Sequence, residues 1–473
     1  MEKTESTTSA EESQLTLVSL PERTQGSAEG QGEKAAAQEA KGPVRLRQAQ
    51  RSQYSMLPHC LDDLIGAEHP ARMVVKVVEQ LEVEEFCQPI QARAGEVGRD
   101  ATDPRLLIAL WLYACIRGIG SARELARRCE EAKPFVWLCG GVTVNHRLLS
   151  DFRTDHGQAL DNLFTQVIAS LVEKGLVQVK RISQDGVRVR VGAGAGSFRR
   201  EERLQQLLAE AKEHVEELRR QVETPERLSA EKAKKVKEQK RRAEEKQKRL
   251  EQAIEQLPEL KKKQEEAAQR AGQGKCGDRI RNKELRVSST DAEARVMKMP
   301  NGGFNPGVNV QLAVDTESRA IVGVEVTNEG SDSAGLIAPM REQVEERTGK
   351  KVEEQLLDGG YLRMQDIEEA HAQGVKLLVP PKPARNKENR GRELEVKSGD
   401  SEAVREWKKC MGSEEGKEIY KQRGKTSETV NGDLRSYRGL TQILVRGLGK
   451  SRCVALWCAL AYDVMHFGAQ LLQ

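Results

Sequence analysis

The chain has 473 residues, enough for two or three domains, and its 77 Lys and Arg nearly balance 73 Asp and Glu, leaving a formal net charge of +4. A uniformly basic surface is therefore excluded, and any nucleic-acid face has to be made locally by segregating basic side chains. Nine cysteines with no CxxC pair and seven scattered histidines argue against a disulfide scaffold and against a zinc site, and all nine thiols read as reduced, buried packing groups of a cytosolic protein.

The opening MEKTESTTSAEESQ has no apolar run behind a basic start, so no secretory signal is expected. Residues 1 to 45 are rich in Ser, Thr, Glu, Gln, Gly and Ala, too poor in large apolar groups to offset the entropy of ordering, and predict a disordered tail. From about Leu61 to Leu176 the apolar period is helical: Met73, Val74, Val77, Val78 and Leu81 recur at threes and fours, and Leu106 to Cys115 is almost wholly apolar. Arg117, Arg123, Arg127, Arg128, Arg147 and Arg153 accompany these helices, either as solvated faces or as phosphate contacts.

Near Val177 the period changes to two. Val177, Val179, Asp185, Val187, Val189 and Val191 share one parity, so a strand is predicted with a carboxylate on its apolar face. Such an acid must be neutralised, paired or bound to a cation. A charged insertion follows over 198–275, where Leu204, Leu208, Ala211, Val215, Leu218 and Val222 form a heptad seam that Val236, Ala243, Leu250 and Leu257 continue. Thr224 and Pro225 suit the cap and first position of its second helix, so a coiled-coil hairpin or a dimerisation arm is predicted.

Strands then return. Val308 to Val314 and Ile321 to Val326 read as a hairpin, Ala334 to Glu346 as a helix, and Gln355 to Leu357 as a short strand ending on Asp358 and two glycines. A helix over Met364 to Gln373 and a strand over Val375 to Val379 complete a mixed α/β layer. Residues 380–417 are polar and basic and predict a loop or partly ordered insertion, while Cys453 to Leu472 predicts a buried closing helix, not a membrane span.

The acids draw attention by position. Asp358 ends a strand where α/β sheets build their sites, and Glu428 follows Thr426 and Ser427, either of which could cap a helix that would carry it in its first turn. Asp185, Asp358 and Glu428 are separated by 173 and 70 residues, spacings that 73 acids would supply by chance, so context must carry the reading.

That context resembles the insertion-sequence transposases of the DDE class. RLLSDFRTDHGQALDNLF resembles the end of their helical N-terminal domain, SQDGVRVRVGAGAGSFRR their first catalytic strand, and DAEARVMKMPNGGFNPGVNVQLAVD the approach to the next hairpin. LLDGGYL around Asp358, and Tyr420, Arg423, Glu428 and Arg435 in the last catalytic element, continue the likeness. The resemblance implies an RNase H-like core at 177–473, interrupted at 198–275 and 380–417, behind a helical DNA-binding domain at 46–176. It further implies Asp185, Asp358 and Glu428 as catalytic carboxylates holding two Mg²⁺ or Mn²⁺ ions, with Asp185 bridging both. Tyr420, Arg423, Arg435 and Asp332 would support the site or touch DNA. The partners implied are double-stranded DNA and a second copy of the chain, in the cytoplasm and away from membranes. Asp463 departs from the pattern, standing in the final helix where an amide or basic residue near DNA is expected. The alternatives are an inactive transposon-derived DNA-binding protein, a nuclease without strand transfer, and a structural coiled-coil protein, the last leaving the glycine-flanked acids unexplained.

Overall fold

The computed structural model describes residues 60–92, 100–223, 230–272, 274–330, 335–384 and 390–473. The tail expected over 1–45, and Thr224 and Pro225, lie outside the described residues.

The first part of the chain is helical: α1 Pro70–Glu79, α2 Glu84–Cys87, α3 Pro104–Ile116, α4 Ala122–Glu131, α5 Lys133–Cys139, α6 His146–Asp155 and α7 Gly157–Glu173. Prolines open α1 and α3 where no backbone N–H is needed, and His69 and Asp103 cap them. Helix α3 is buried on all sides from Leu107 to Ile116, as its unbroken apolar run requires.

The sheet follows with β1 Arg181–Val191, and after it come β2 Phe198–Arg199, helices α8 Glu201–Glu223, α9 Ala230–Glu255, α10 Leu257–Arg270 and α11 Lys275–Arg281, then β3 Val287–Ser288 and β4 Arg295–Lys298. Strands β5 Phe304–Asp315 and β6 Ile321–Thr327 make the hairpin, α12 Ile337–Thr348 leads to β7 Glu354–Leu357, and α13 Met364–Ala372 leads to β8 Lys376–Leu378. Helices α14 Glu402–Gly412, α15 Glu414–Arg423 and α16 Thr429–Ser436, strand β9 Gln442–Ile443 and helix α17 Leu448–Leu471 close the chain. The principal strands lie in the order β6, β5, β1, β7, β8. The first three are antiparallel neighbours, whereas β7 and β8 run parallel to β1. The architecture is mixed α/β.

One buried apolar cluster joins the helices before β1 to β1, β5, β6 and α17. From Cys453 to Val464 every residue of α17 is buried, because this helix is covered both by the sheet and by α3 and α7. Among the described residues no helix is long and apolar enough to cross a membrane. Asp161 on α7 accepts from Arg347 of α12 at 2.6 Å and from Arg452 of α17 at 2.9 Å, a polar tie across the same junction.

Several expectations need correction. Strand β1 starts at Arg181, not near Val177: Val179 takes φ +53°, which a strand excludes, and its N–H donates to the Asp315 carboxylate. Val177 and Val179 are buried as packing residues before the strand. Arg153 is buried, stacked 4.7 Å from the Trp111 ring centre and bonded to the Gly120 carbonyl, so it holds helices together and offers DNA nothing. Arg127 and Arg128 are paired with Glu124. Residues 402–412, within the segment expected as loop, form α14, because Val404, Trp407 and Met411 at threes and fours bury one face. Cys60 and Cys276 are exposed and Cys87 and Cys410 half-buried, so packing accounts for only five of the nine thiols.

Helices α8 and α9 run antiparallel, with Leu204 and Ala211 packed in one apolar cluster with Leu250, Ala253 and Leu257. Ion pairs Lys212 with Glu251 and Glu201 with Lys261 flank this seam. Pro258 opens α10, so the second helix of the arm is divided there. Arg295 on β4 donates to Gln256 at 2.7 Å, anchoring the arm's base to the sheet.

Asp463 is fully buried on α17, where one carboxylate oxygen accepts the Ile321 N–H at 3.0 Å. It orders the start of β6 and is not a DNA-facing group. Burial raises its pKa well above the ordinary range, against the smaller lowering effect of that hydrogen bond. The folded chain thus keeps a proton that the unfolded chain loses above about pH 4, so the destabilisation grows as pH rises from there toward the folded pKa. Asp463→Asn keeps the acceptor without the charge. Thermal unfolding is expected to find the variant more stable at pH 7, with the difference vanishing toward pH 4; a difference independent of pH would contradict the assignment.

Candidate active site

Register brings two of the acids together. Parallel pairing of β1 with β7 ends at Gln184 opposite Leu357, so Asp185 and Asp358 are the next residues on neighbouring strands, whose backbones lie about 4.8 Å apart. Asp185 remains on the central strand, opposite Leu312 of β5, while Asp358 leaves the sheet into a short helical turn.

Beneath them, Gln311 of β5, Gln184 of β1 and Gln355 of β7 are all fully buried. Gln355 donates to Gln184 at 2.8 Å, Gln184 donates to Gln311 at 3.2 Å, and the Tyr361 hydroxyl donates to Gln311. This amide ladder fixes three adjacent strands relative to one another, and its burial makes each bond costly to break.

The third acid arrives by another route. Helices α15 and α16 are continuous through a π-helical turn, Gly424–Glu428. The expectation that Glu428 sits in the first turn of a capped helix is therefore corrected: Thr426 and Ser427 are buried mid-helix, not at a cap. The Thr426 hydroxyl donates back to the Gln422 carbonyl, and Ser427 shares a hydrogen bond of 2.6 Å with Ser183 on β1. The wide turn points Ser427 at the sheet and leaves Glu428 exposed toward the cleft, an irregularity of the kind that gathers at functional sites. Arg181 steadies the arrangement by bonding Glu354 of β7 and Gln422 of α15.

All three carboxylates meet one guanidinium. Arg423 Nη2 lies 3.4 Å from Asp185 and 3.9 Å from Asp358, and its Nη1 lies 3.8 Å from Glu428. The Arg423 side chain is 14% exposed against 53% and 68% for Asp358 and Glu428. Burial lowers the Arg423 pKa, but Asp185, Tyr420, Asp358 and Glu428 raise it by more, so the group is held charged. Tyr420 is half-buried beside it, its phenol pKa raised by burial and by the same acids against the opposing pull of Arg423.

Asp185 has two further donors, the Gly186 N–H at 3.0 Å and the Asn431 amide at 3.0 Å. The neutralisation that a half-buried acid demands is thereby met. Asn431 escaped the sequence reading, although its place three residues after Glu428 puts the two on one helical face. Arg435 lines the same cleft as Asp185, Asp358, Glu428 and Asn431, with Arg188 and Pro300 at its rim; the cleft's volume is about 420 Å³. Asp332 lies outside the described residues. Among the described residues no three His, Cys, Asp or Glu close around one point as a metal site; the acids here surround Arg423 instead.

Two family models match the chain. Residues 59–155 match a transposase domain family (DUF772), and residues 276–464 match the transposase DDE domain family. No curated protein and no solved structure matches. The first match covers α1 to α6, and the second runs from α11 to α17, taking in Asp358, Arg423 and Glu428. With these two domains in this order, the chain belongs to the insertion-sequence DDE transposases.

Proposed function

We propose that the protein cuts DNA at transposon ends by metal-dependent phosphodiester hydrolysis and joins the freed 3′-OH to target DNA. The observation that carries this reading is the convergence of Asp185, Asp358 and Glu428 on a single cation, Arg423. Three carboxylates from β1, the end of β7 and a π-helical turn have no packing reason to meet, and hard oxygen donors of this kind suit Mg²⁺ or Mn²⁺. Asp185, Asp358 and Glu428 would together hold the two ions. Such ions, when bound, activate the attacking oxygen and stabilise the leaving oxygen.

The chain's own side chains supply the rest. Asn431 and the Gly186 N–H orient the Asp185 carboxylate. Arg435, which lines the cleft, and Arg423, which stands among the acids, would hold phosphate oxygens. Tyr420 stands half-buried beside Arg423. The strand order β6, β5, β1, β7, β8, with β1 to β5 and β5 to β6 antiparallel, supports reading the sheet as an RNase H-like core within 177–473. We read α8 to α10 as an inserted antiparallel coiled-coil arm, and 46–176 as the helical DNA-binding domain. Function as a homodimer on double-stranded DNA in the cytoplasm accords with the need to synapse two ends.

Arg423 and the metals would compete for the same carboxylates. Arg423→Gln removes the cation and leaves three acids facing one another, with an expected loss of about 1–3 kcal/mol of stability in metal-free buffer, since two of the acids are half or more exposed. Millimolar Mg²⁺ is then expected to raise the Tm of the variant more than that of the natural protein. Equal responses to Mg²⁺ would contradict the shared site.

The direct test uses a duplex carrying the element's own end. The natural protein with Mg²⁺ is expected to release 3′-OH ends, and Asp185→Ala, Asp358→Ala and Glu428→Ala each to reduce cleavage by at least about a thousandfold, an expectation scaled to the loss of major electrostatic groups, while binding persists. Tight binding without cleavage in any of the proteins would favour the inactive DNA-binding reading. Cleavage that survives all three changes would remove these acids from the chemistry.

A further inference from the structure

A second cleft lies where the C-terminal end of α16 meets the helical part of the chain. Two adjoining hollows of about 530 and 300 Å³ share His69, Tyr113 and Arg117 on their walls. Among the described residues no Asp or Glu lines either one, in a chain carrying 73 acids. The floor is aromatic and neutral: the buried Tyr113 ring lies 5.8 Å from His69 and 5.0 Å from Phe135. His69 Nδ1 accepts the Ala71 N–H, which leaves its neutral form in use.

Two groups at the mouth are available to a ligand. Arg117 is exposed, and among the described residues it has no carboxylate partner, unlike Arg128, which is paired with Glu124. Tyr437 is 66% exposed, which is unusual for so large a ring. The backbone holds the two side by side. Gly118 (φ +70°) and Gly439 (φ +76°) pack backbone against backbone, and a Cβ on Gly118 would stand 2.9 Å from the Tyr437 carbonyl oxygen. Only glycine allows that approach. Arg438 is occupied within the fold, bonding Asp433 and the Ile116 carbonyl, and stiffens the same link.

We propose that this cleft is a second nucleotide site, taking a base on the Tyr437 ring and the adjoining phosphate on Arg117, along the DNA strand that leaves the candidate active site beside α16. Tyr437 stands nine residues after Glu428, about 14 Å along a helix at about 1.5 Å per residue. At about 3.4 Å per nucleotide step, that is about four nucleotides from the cleaved phosphate. Arg435, two residues before Tyr437, lines the candidate active site at the near end of the same helix. A cation with no carboxylate partner among the described residues, beside an exposed ring, with the neighbouring acids Glu124 and Asp433 already paired to Arg128 and Arg438, is the combination that binds a strand through phosphate and stacking. The inference rests on the DNA-cutting reading for its geometry, but the site can be tested without cleavage.

The experiment is fluorescence anisotropy in EDTA, using a labelled duplex of the element's terminal sequence in which one strand is left unpaired around the fourth nucleotide from the cut, with salt varied. Tyr437→Ala is expected to weaken binding about 5- to 150-fold and Tyr437→Phe by less than about twofold, because the ring and not the hydroxyl is used. Arg117→Ala is expected to weaken binding and to lower the slope of log affinity against log salt by about one. Tm values equal to that of the natural protein exclude misfolding. In a parallel series, 2-aminopurine is placed at successive positions, and quenching that depends on Tyr437 is expected about four nucleotides from the cut. Unchanged affinity and slope in Tyr437→Ala and Arg117→Ala, or no DNA binding by the natural protein, would overturn the proposal. Cleavage by the natural protein without any Tyr437 effect removes this site alone; a Tyr437 effect without cleavage retains it and removes the catalytic reading.

Discussion

Carboxylates gathered in one cleft repel one another unless a cation stands among them, and in this protein Arg423 is that cation. Asp185, Asp358 and Glu428 each lie within 4 Å of its guanidinium, and their combined field keeps it charged despite burial. Much of the surrounding structure can be understood as what aims these four side chains at one another. Register between β1 and β7 sets Asp185 beside Asp358. The π-helical turn sets Glu428 opposite, and the hydrogen bond between Ser183 and Ser427 ties that turn to the central strand. An arrangement balanced by a movable side chain is also one that can exchange its counter-ion, which is the property the proposed chemistry uses.

Rigidity is supplied from below and behind. The Gln311, Gln184 and Gln355 ladder satisfies buried amides across three strands, so a one-residue slip would leave several of them unpaired. Helix α17 lies between the sheet and the N-terminal helices in a single apolar cluster. Asp463 on that helix orders the first residue of β6, at the cost of a buried carboxyl. The helical part and the sheet consequently share one core, and the cleft bearing Tyr437 and Arg117 is built on the same core as the acids.

Period and punctuation made much of this legible in the sequence. Alternation marked β1, β5 and β6, and glycines after Asp358 marked the end of β7, because those signals are local. Tertiary signals were harder to read. Thr426 and Ser427 have the composition of a helix cap, yet both are buried mid-helix, since a hydroxyl can bond back to the preceding turn as well as cap a new one. The heptad positions Ala243, Leu250 and Leu257 are buried as their spacing suggests, whereas the division of the arm at Pro258 went unanticipated. Val179 shared the strand's parity and still took a left-handed φ, a choice made by its bond to Asp315 from far along the chain. Asn431 and Arg153 show the same limit: one joins the site and the other leaves the surface because of partners that no local pattern encodes.

The central claim is that the three acids form one site for divalent ions. It is tested most directly by replacing Mg²⁺ with Fe²⁺, generating hydroxyl radicals at the bound ion and mapping the backbone cuts by mass spectrometry. The account requires cuts near Asp185, Asp358 and Glu428 together, lost on Asp185→Ala and suppressed by excess Mg²⁺. Cuts confined to one of the three segments, cuts elsewhere, or cuts indifferent to Asp185 and Mg²⁺ would contradict it.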